Sequence, residues 1–347
     1  MSEKLVELEL DTDTLKATLL PIMHLLEDDS INEVKISPLR KDIGAVWYYK
    51  QGSWEEALDK NGQPLLIDNK KIEQVIGYMA GANKKPAHDK RPKIECVVPL
   101  LGFRFTGILQ PMSVGCSKFN IRKFSTTFYT FEDYAKQGVF GEEYIETLLN
   151  WTNNKGAFEQ HDKFSIAIFG TTNTGKTTFT NCFINEKRKN KPKENWVVME
   201  DTRELIITSG NVDRYQTTEY VDMNELLITS LRLTPDNVVI GEVRAGEAAY
   251  VAESAMISNT LFTMHAKDFN SAISRFERMM LKNPDIDKVD RKDLCNIKGW
   301  ISLQNVPKFY EDKNGNVVRS FKRQMTQMVE LQDYDADADR WQYTTIL

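Results

Sequence analysis

The sequence predicts an α/β protein, with a largely parallel sheet covered by helices in its C-terminal part and a smaller α+β domain ahead of it. Three observations carry this. Short apolar runs at 164–169, 196–199, 237–242 and 260–264 alternate with amphipathic segments, the strand, helix, strand rhythm that builds parallel sheets. Up to about Thr130 the segments are instead short and mixed. With 347 residues, 41% hydrophobic and 27% charged, the chain can bury a sizeable core and is long enough for two domains.

Taken in order, EVKISP, GAVWYYKQGSWEEA and VVPLLGFRFTGILQP read as strands and hairpins, and NKKIEQVIGYMAGAN as a helix that ends near Gly81. From Phe131 the pattern lengthens, and FEDYAKQGVFGEEYIETLLNWTNN reads as a long amphipathic helix. The boundary falls in RKFSTTFYTFED, where Ser125, Thr126 and Thr127 interrupt the apolar patterning. This divides the chain into an α+β domain over 1–124, a linker over 125–140 and an α/β domain over 141–347. At the C-terminus, SFKRQMTQMVELQDYDADADRWQYTTIL alternates on either side of an Asp-rich centre, which predicts an antiparallel hairpin at the edge of the sheet. There is no internal repeat and no low-complexity tract.

Composition narrows the function classes. No uninterrupted apolar run approaches the roughly 18 residues of a membrane span, and MSEKLVELELDTD is acidic where a signal peptide is basic and then apolar. The expected location is therefore the cytoplasm. The four cysteines, Cys96, Cys116, Cys182 and Cys295, lie far apart with no CxxC pair, which disfavours a zinc ribbon and a disulfide framework. A net charge of −5 argues against a protein that coats nucleic acid over its whole surface. Two basic clusters, KKPAHDKRPK at 84–93 and EKRKNKPK at 186–193, are expected to be solvated surface, with an anionic lipid surface as the next choice.

The chemistry concentrates in FSIAIFGTTNTGKTTFTNCF, where a strand runs into a Gly, Thr and Asn turn and then a helix. Gly170, Thr171, Thr172, Asn173, Thr174, Gly175, Lys176 and Thr177 match GxxxxGK(S/T), and with Thr178 they form a candidate phosphate cradle of backbone N–H groups and a helix N-terminus. In such a loop Lys176 reaches the β- and γ-phosphates of a nucleotide such as ATP, and the Thr177 hydroxyl binds Mg²⁺. Asn173 stands where many such loops place glycine, and asparagine is one of the few other residues that tolerate positive φ.

Hydrolysis needs a held metal, an oriented water and positive charge on the transferred phosphoryl group. WVVMEDTREL supplies Glu200 and Asp201 after one apolar run, and DNVVIGEVR supplies Glu242 after another. Both would lie at the loop-facing ends of parallel strands, where ligands of open sheets collect. LFTMHAKD places His265 at the end of a further strand.

Taken together, GTTNTGKTT, MEDTREL, LRLTPDNVVIGEVRAGEA and TMHAKDFNSAISRFERM resemble the phosphate loop, Asp box, Walker B and His box of the secretion traffic ATPases, in the family's order from about 165 to 280. GFRFTGILQPMSVGCSKFNIRKFS resembles the end of that family's N-terminal domain, and the EDTREL wording and the lack of a tetracysteine motif point to its type IV secretion and conjugation branch. The resemblance implies a RecA-like P-loop NTPase domain at the C-terminus, a hexameric ring of two-domain subunits, and ATP bound between the domains. It further implies that MgATP hydrolysis powers movement of a substrate or pilus subunit, with inner-membrane secretion proteins as partners and nucleic acid disfavoured as a direct substrate. Peripheral attachment to the inner membrane follows from the same resemblance. Carried over, Glu200 is the water-activating carboxylate and Glu242 the Walker B group that orders metal with Thr177, which leaves open which of the two is the base. Arg104 and Arg122 match basic positions brought to the phosphates, and His265 senses the γ-phosphate region.

The sequence departs from the family where SAMISNTLFTMHA lacks a Gly-His-Gly character, where Thr234 replaces a common arginine, and where Gln110 replaces the first of a proline pair. Rival readings are a pilus assembly or retraction motor, a nucleotide-binding switch without useful hydrolysis, and a DNA-translocating ATPase. A complete hydrolytic set disfavours the switch, and stimulation by single-stranded DNA would mark the translocase.

Overall fold

A computed structural model describes residues 12–50, 53–123, 128–207, 210–218, 220–311 and 317–347. The chain divides into two compact units, Met1–Ser125 and Thr126–Leu347. Residues 124–127, where the interruption of apolar patterning lies, are outside the described residues, as are residues 51–52 within the segment GAVWYYKQGSWEEA.

The first unit opens with helix α1 (Thr12–Leu19), a 3₁₀ turn (Leu20–Ile22) and α2 (Met23–Glu27). Strands β1 (Ile31–Arg40), β2 (Ile43–Lys50), β3 (Ser53–Glu56) and β4 (Leu66–Asp68) lead into α3 (Asn69–Ala82), followed by β5 (Lys93–Val97), β6 (Arg104–Ile108) and β7 (Lys118–Arg122). Among the described residues the sheet runs β3-β2-β1-β7-β6-β5, with β4 paired to β2. Its ladders are antiparallel. The helix expected over NKKIEQVIGYMAGAN forms because Asp68 caps it, accepting from the Lys71 N–H at 2.9 Å, and because Ile72, Val75, Ile76, Met79 and Ala80 recur on one buried stripe.

The second unit carries α4 (Phe131–Lys136), a 3₁₀ turn (Glu142–Tyr144), α5 (Ile145–Thr152), β8 (Ile166–Phe169), α6 (Lys176–Asn190), β9 (Trp196–Glu200), β10 (Val212–Gln216) and α7 (Met223–Ser230). It continues with β11 (Asn237–Ile240), α8 (Ala248–Ile257), β12 (Asn259–Met264), α9 (Phe269–Met280), α10 (Arg291–Leu294), β13 (Gly299–Glu311), β14 (Val317–Asp335) and β15 (Arg340–Thr345). The strand order is β10-β9-β11-β12-β8-β13-β14-β15. From β10 to β13 every pairing is parallel. Strands β8, β9, β11 and β12 are buried at every position, as strands covered on both faces must be, which explains why they read as unbroken apolar runs. The C-terminal hairpin also forms where expected, with β15 antiparallel to β14 on the sheet's edge.

Three expectations are corrected. The long helix read over 131–154 is broken into α4, the 3₁₀ turn and α5. Gly138 closes α4 at φ +67°, donating to the Ala135 carbonyl at 2.7 Å, and this left-handed cap turns Val139 and Phe140 into the core beside Phe131 and Tyr134. Much of the segment assigned to a linker over 125–140 is thus packed into the second unit. The cluster 186–193 is not a uniform solvated face either. Lys187 is 3% exposed, and its ammonium donates to the Thr152 carbonyl at 3.1 Å and Asn154 Oδ1 at 2.7 Å. Burial pushes its pKa down to about 7. Glu186 is also buried and pairs with Lys189 at 2.6 Å. Among the described residues no helix is long and apolar enough to cross a membrane.

Candidate functional site

Because β8, β9, β11 and β12 run parallel, their C-terminal ends share one edge of the sheet. The segments after β8 and β12, the end of β9, and Glu242 just past β11 all meet there. Gly170 leaves β8 where a Cβ would stand 2.0 Å from the Leu303 carbonyl oxygen, so the strand can turn this tightly only without a side chain. Asn173 adopts φ +62° and Gly175 φ +84°, and α6 starts immediately at Lys176. The loop is braced by β13, whose Asn305 Nδ2 donates to the Asn173 carbonyl at 3.3 Å, and by Thr174 Oγ1, which donates to the Thr171 carbonyl at 3.1 Å. Residues 170–178 therefore form a loop whose backbone leads directly into a helix N-terminus, the arrangement that attracts phosphate.

Lys176 is 9% exposed and reaches back over the loop, donating to the carbonyls of Gly170 at 3.1 Å and Thr171 at 2.9 Å. His265 follows β12, with Nδ1 at 3.1 Å from the Gly170 oxygen and 3.3 Å from Lys176 Nζ, so the ring's tautomer decides which contact is a hydrogen bond. Its Nε2 lies 3.0 Å from Glu242 Oε1. The other Glu242 oxygen accepts from Arg244 Nη2 at 2.7 Å, and Arg244 Nη1 donates to Asp201 at 2.7 Å. Burial raises the Glu242 pKa, but the Arg244 hydrogen bond and the nearby Arg244, His265 and Lys176 charges outweigh it and hold the carboxyl below its ordinary range. One polar chain thus runs from the loop through His265, Glu242 and Arg244 to Asp201.

Glu200 lies outside this chain. It is 4% exposed, and its Oε1 accepts the backbone N–H groups of Glu204 and Leu205, both at 2.8 Å. The carboxyl thereby folds its own loop, and burial raises its pKa to about 7. Glu204 instead reaches the phosphate loop, where its Oε2 accepts from the Thr177 hydroxyl at 3.1 Å. Glu204 was not singled out in the sequence. The available signal was strand length: β9 ends on Glu200, so that side chain is still within the sheet's layer, while a carboxylate one loop later is free to turn toward Thr177.

A pH dependence follows from Glu200. Its folded pKa of about 7 lies above the ordinary 4.5, so between these values the folded chain keeps a proton that the unfolded chain has released. Stability from this group is therefore greatest below about pH 4.5 and falls as pH rises to about 7, by about 3 kcal/mol in all. Glu200→Gln keeps an acceptor for both N–H groups. Denaturation of wild type and variant from pH 5 to 8 should show the variant gaining stability relative to wild type as pH rises, and a constant difference would refute the linkage.

Arg104 and Arg122 belong to the first unit, where they stand directly opposite each other on β6 and β7. Glu33 on β1 opposes Arg122 from the other side. Directly opposed residues share a face of the sheet, so Arg104, Arg122 and Glu33 lie side by side on one face of this unit.

The second unit is a RecA-like P-loop NTPase fold, with its candidate nucleotide site at the C-terminal edge of a parallel sheet. The Type II/IV secretion system protein family matches residues 79–291, and the chain belongs to that family. It is 32% identical over 209 residues to the probable conjugal transfer protein TrbB of Sinorhizobium fredii, covering 60% of this chain and 62% of that relative. It thus spans less than two thirds of that protein's length. The type IV secretion system protein VirB11 of Bartonella henselae is 25% identical over 317 residues, covering 81% of this chain and 84% of the relative. The X-ray structure of the ATPase DotB from Legionella pneumophila shares the fold, with a TM-score of 0.56 at 14% identity, covering 88% of this chain and 79% of that one.

Proposed function

We propose that this protein hydrolyses ATP and is the motor of a type IV secretion or conjugation system. The observation that carries this reading is the convergence of five side chains at the phosphate loop: Lys176 within it, Thr177 bonded to Glu204, and Glu242 bonded to His265. A bound nucleotide would draw the Lys176 ammonium from the loop carbonyls to phosphate oxygens, exchanging neutral acceptors for charged ones. Water would attack the γ-phosphorus, giving up a proton to a nearby carboxylate while the electron pair of the broken P–O bond leaves with ADP. Glu204 is the carboxylate proposed to orient that water, and Glu242 the group that reports through His265 on the phosphate.

Thr177 Oγ1 and Glu204 form a hard oxygen pair that suits magnesium, and Glu242, currently bonded to Arg244 and His265, is a further ligand or water-holding group. Among the described residues no cluster of three or more His, Cys, Asp or Glu side chains would hold a metal alone, so phosphate oxygens and water would complete the set. When bound, magnesium supplies neutralisation of charge on the phosphates. Arg104 and Arg122 are proposed to add positive charge in the transition state. Assembly as a homo-hexamer, work at the cytoplasmic face of the inner membrane with other secretion proteins, and contact with anionic lipid complete the proposal.

The test is ATP hydrolysis by the purified chain with its mass measured in MgATP, each with and without single-stranded DNA. Turnover by a hexamer that ignores DNA is the expected result. A rate that rises with DNA would replace the secretion motor by a DNA translocase, and tight ATP binding without turnover would replace it by a switch.

A further inference from the structure

A basic residue that lies against the end of the phosphate loop comes from a strand far away in sequence. Arg323 lies on β14 directly opposite Asn305 of β13, the residue whose side chain braces the loop at Asn173. Opposed residues of an antiparallel pair share a face, so Arg323 is turned toward the loop as well. A Cβ built on Gly175 would stand 2.5 Å from Arg323 Cζ and 2.7 Å from its Nε and Nη1, which puts the guanidinium flat against the last residue before α6. The glycine therefore meets two demands at once, positive φ and room for this side chain.

The neighbouring cations are satisfied. Lys176 donates to two loop carbonyls, and Arg244 is paired with Glu242 and Asp201. Arg323 is different: its Nε is buried and meets no acceptor among the described residues. A buried charged donor without an acceptor is unfavourable for the chain alone. It becomes favourable with an anion on the loop, because a guanidinium presents a planar fork of donors that fits phosphate oxygens. The helix N-terminus at Lys176 biases the same point toward negative charge.

We propose that Arg323 is a phosphate-binding residue of this nucleotide site, donating from within the same unit to a non-bridging oxygen of the bound polyphosphate. The assignment rests on the reading of residues 170–178 as a nucleotide loop. It makes the β13–β14 hairpin part of the site: Asn305 shapes the loop and Arg323 holds what the loop binds. It also gives the hairpin a means of sensing whether the loop is filled, since the buried Nε finds an acceptor in the bound anion.

The experiment is calorimetric titration of the full chain with MgADP and, separately, with inorganic pyrophosphate, for wild type, Arg323→Ala and Arg323→Lys, together with the ligand-free melting temperature of each. Arg323→Ala should bind both ligands about ten- to a hundredfold more weakly, the size of a lost charge-assisted hydrogen bond, with its ligand-free melting temperature unchanged or raised. Arg323→Lys should fall between, keeping the charge and losing the fork. Equal ADP and pyrophosphate affinity in wild type and Arg323→Ala would overturn the assignment and leave the nucleotide reading standing. A lowered ligand-free melting temperature in Arg323→Ala, with pyrophosphate affinity unchanged, would make Arg323 a structural brace and overturn it also. A wild-type chain that binds neither ligand would overturn the nucleotide reading, and the assignment with it.

Discussion

Lys176→Ala is expected to lower ATP turnover by at least about a hundredfold while leaving the fold intact. The ammonium is buried among the carbonyls of Gly170 and Thr171, so its charge is spent locally until a polyphosphate presents stronger acceptors. Removing it takes one positive charge from the place where negative charge accumulates, in a site where water screens little. The fold should tolerate the change because the loop's shape comes from Gly170, Asn173, Gly175 and the β13 braces. Turnover and circular dichroism, measured on the same preparation, check both halves of the statement. A variant that folds and turns over ATP at the wild-type rate would remove residues 170–178 from the chemistry.

The second large effect separates two glutamates four positions apart. Glu204→Gln is expected to bind ATP and turn it over about 10²- to 10⁴-fold more slowly, the range for loss of a positioned proton acceptor. Glu200→Gln is expected to stay within a few-fold of wild type, since its amide oxygen can still accept the Glu204 and Leu205 N–H groups. The physical distinction is exposure to the reaction. Glu200 is enclosed and committed to its own backbone, while Glu204 touches the Thr177 hydroxyl, the first side chain after Lys176. Single-turnover rates on the two variants decide it. If Glu200→Gln were the slow one and Glu204→Gln normal, the assignment drawn from the resemblance would be restored and the geometric one abandoned.

Much of the second unit is legible in one dimension because its information is local. A fully buried parallel strand must be apolar throughout, so β8, β9, β11 and β12 announce themselves as short hydrophobic runs. The phosphate loop is legible for a similar reason: its glycines, Asn173 and Lys176 are contiguous, and the turn they make needs few distant partners. The segment after Phe131 is harder to read. Its apolar spacing satisfies a helix throughout, and only the conformation of Gly138 reveals that the chain turns there. The basic cluster around Lys187 misleads in the same way, because a lysine buried on Thr152 and Asn154 has no local signature that separates it from its exposed neighbours.

What the sequence by itself determined is the identity of the strands, the presence of a loop that can cradle phosphate, and the set of polar residues that follow the strand ends. The tertiary structure decided which of those residues meet. The strand order sets β12 beside β8 and so presses His265 against Gly170 and Lys176, while the β13–β14 register lays Arg323 over Gly175. These are contacts between segments far apart along the chain, fixed by packing of the whole sheet, and no local pattern of residues encodes them.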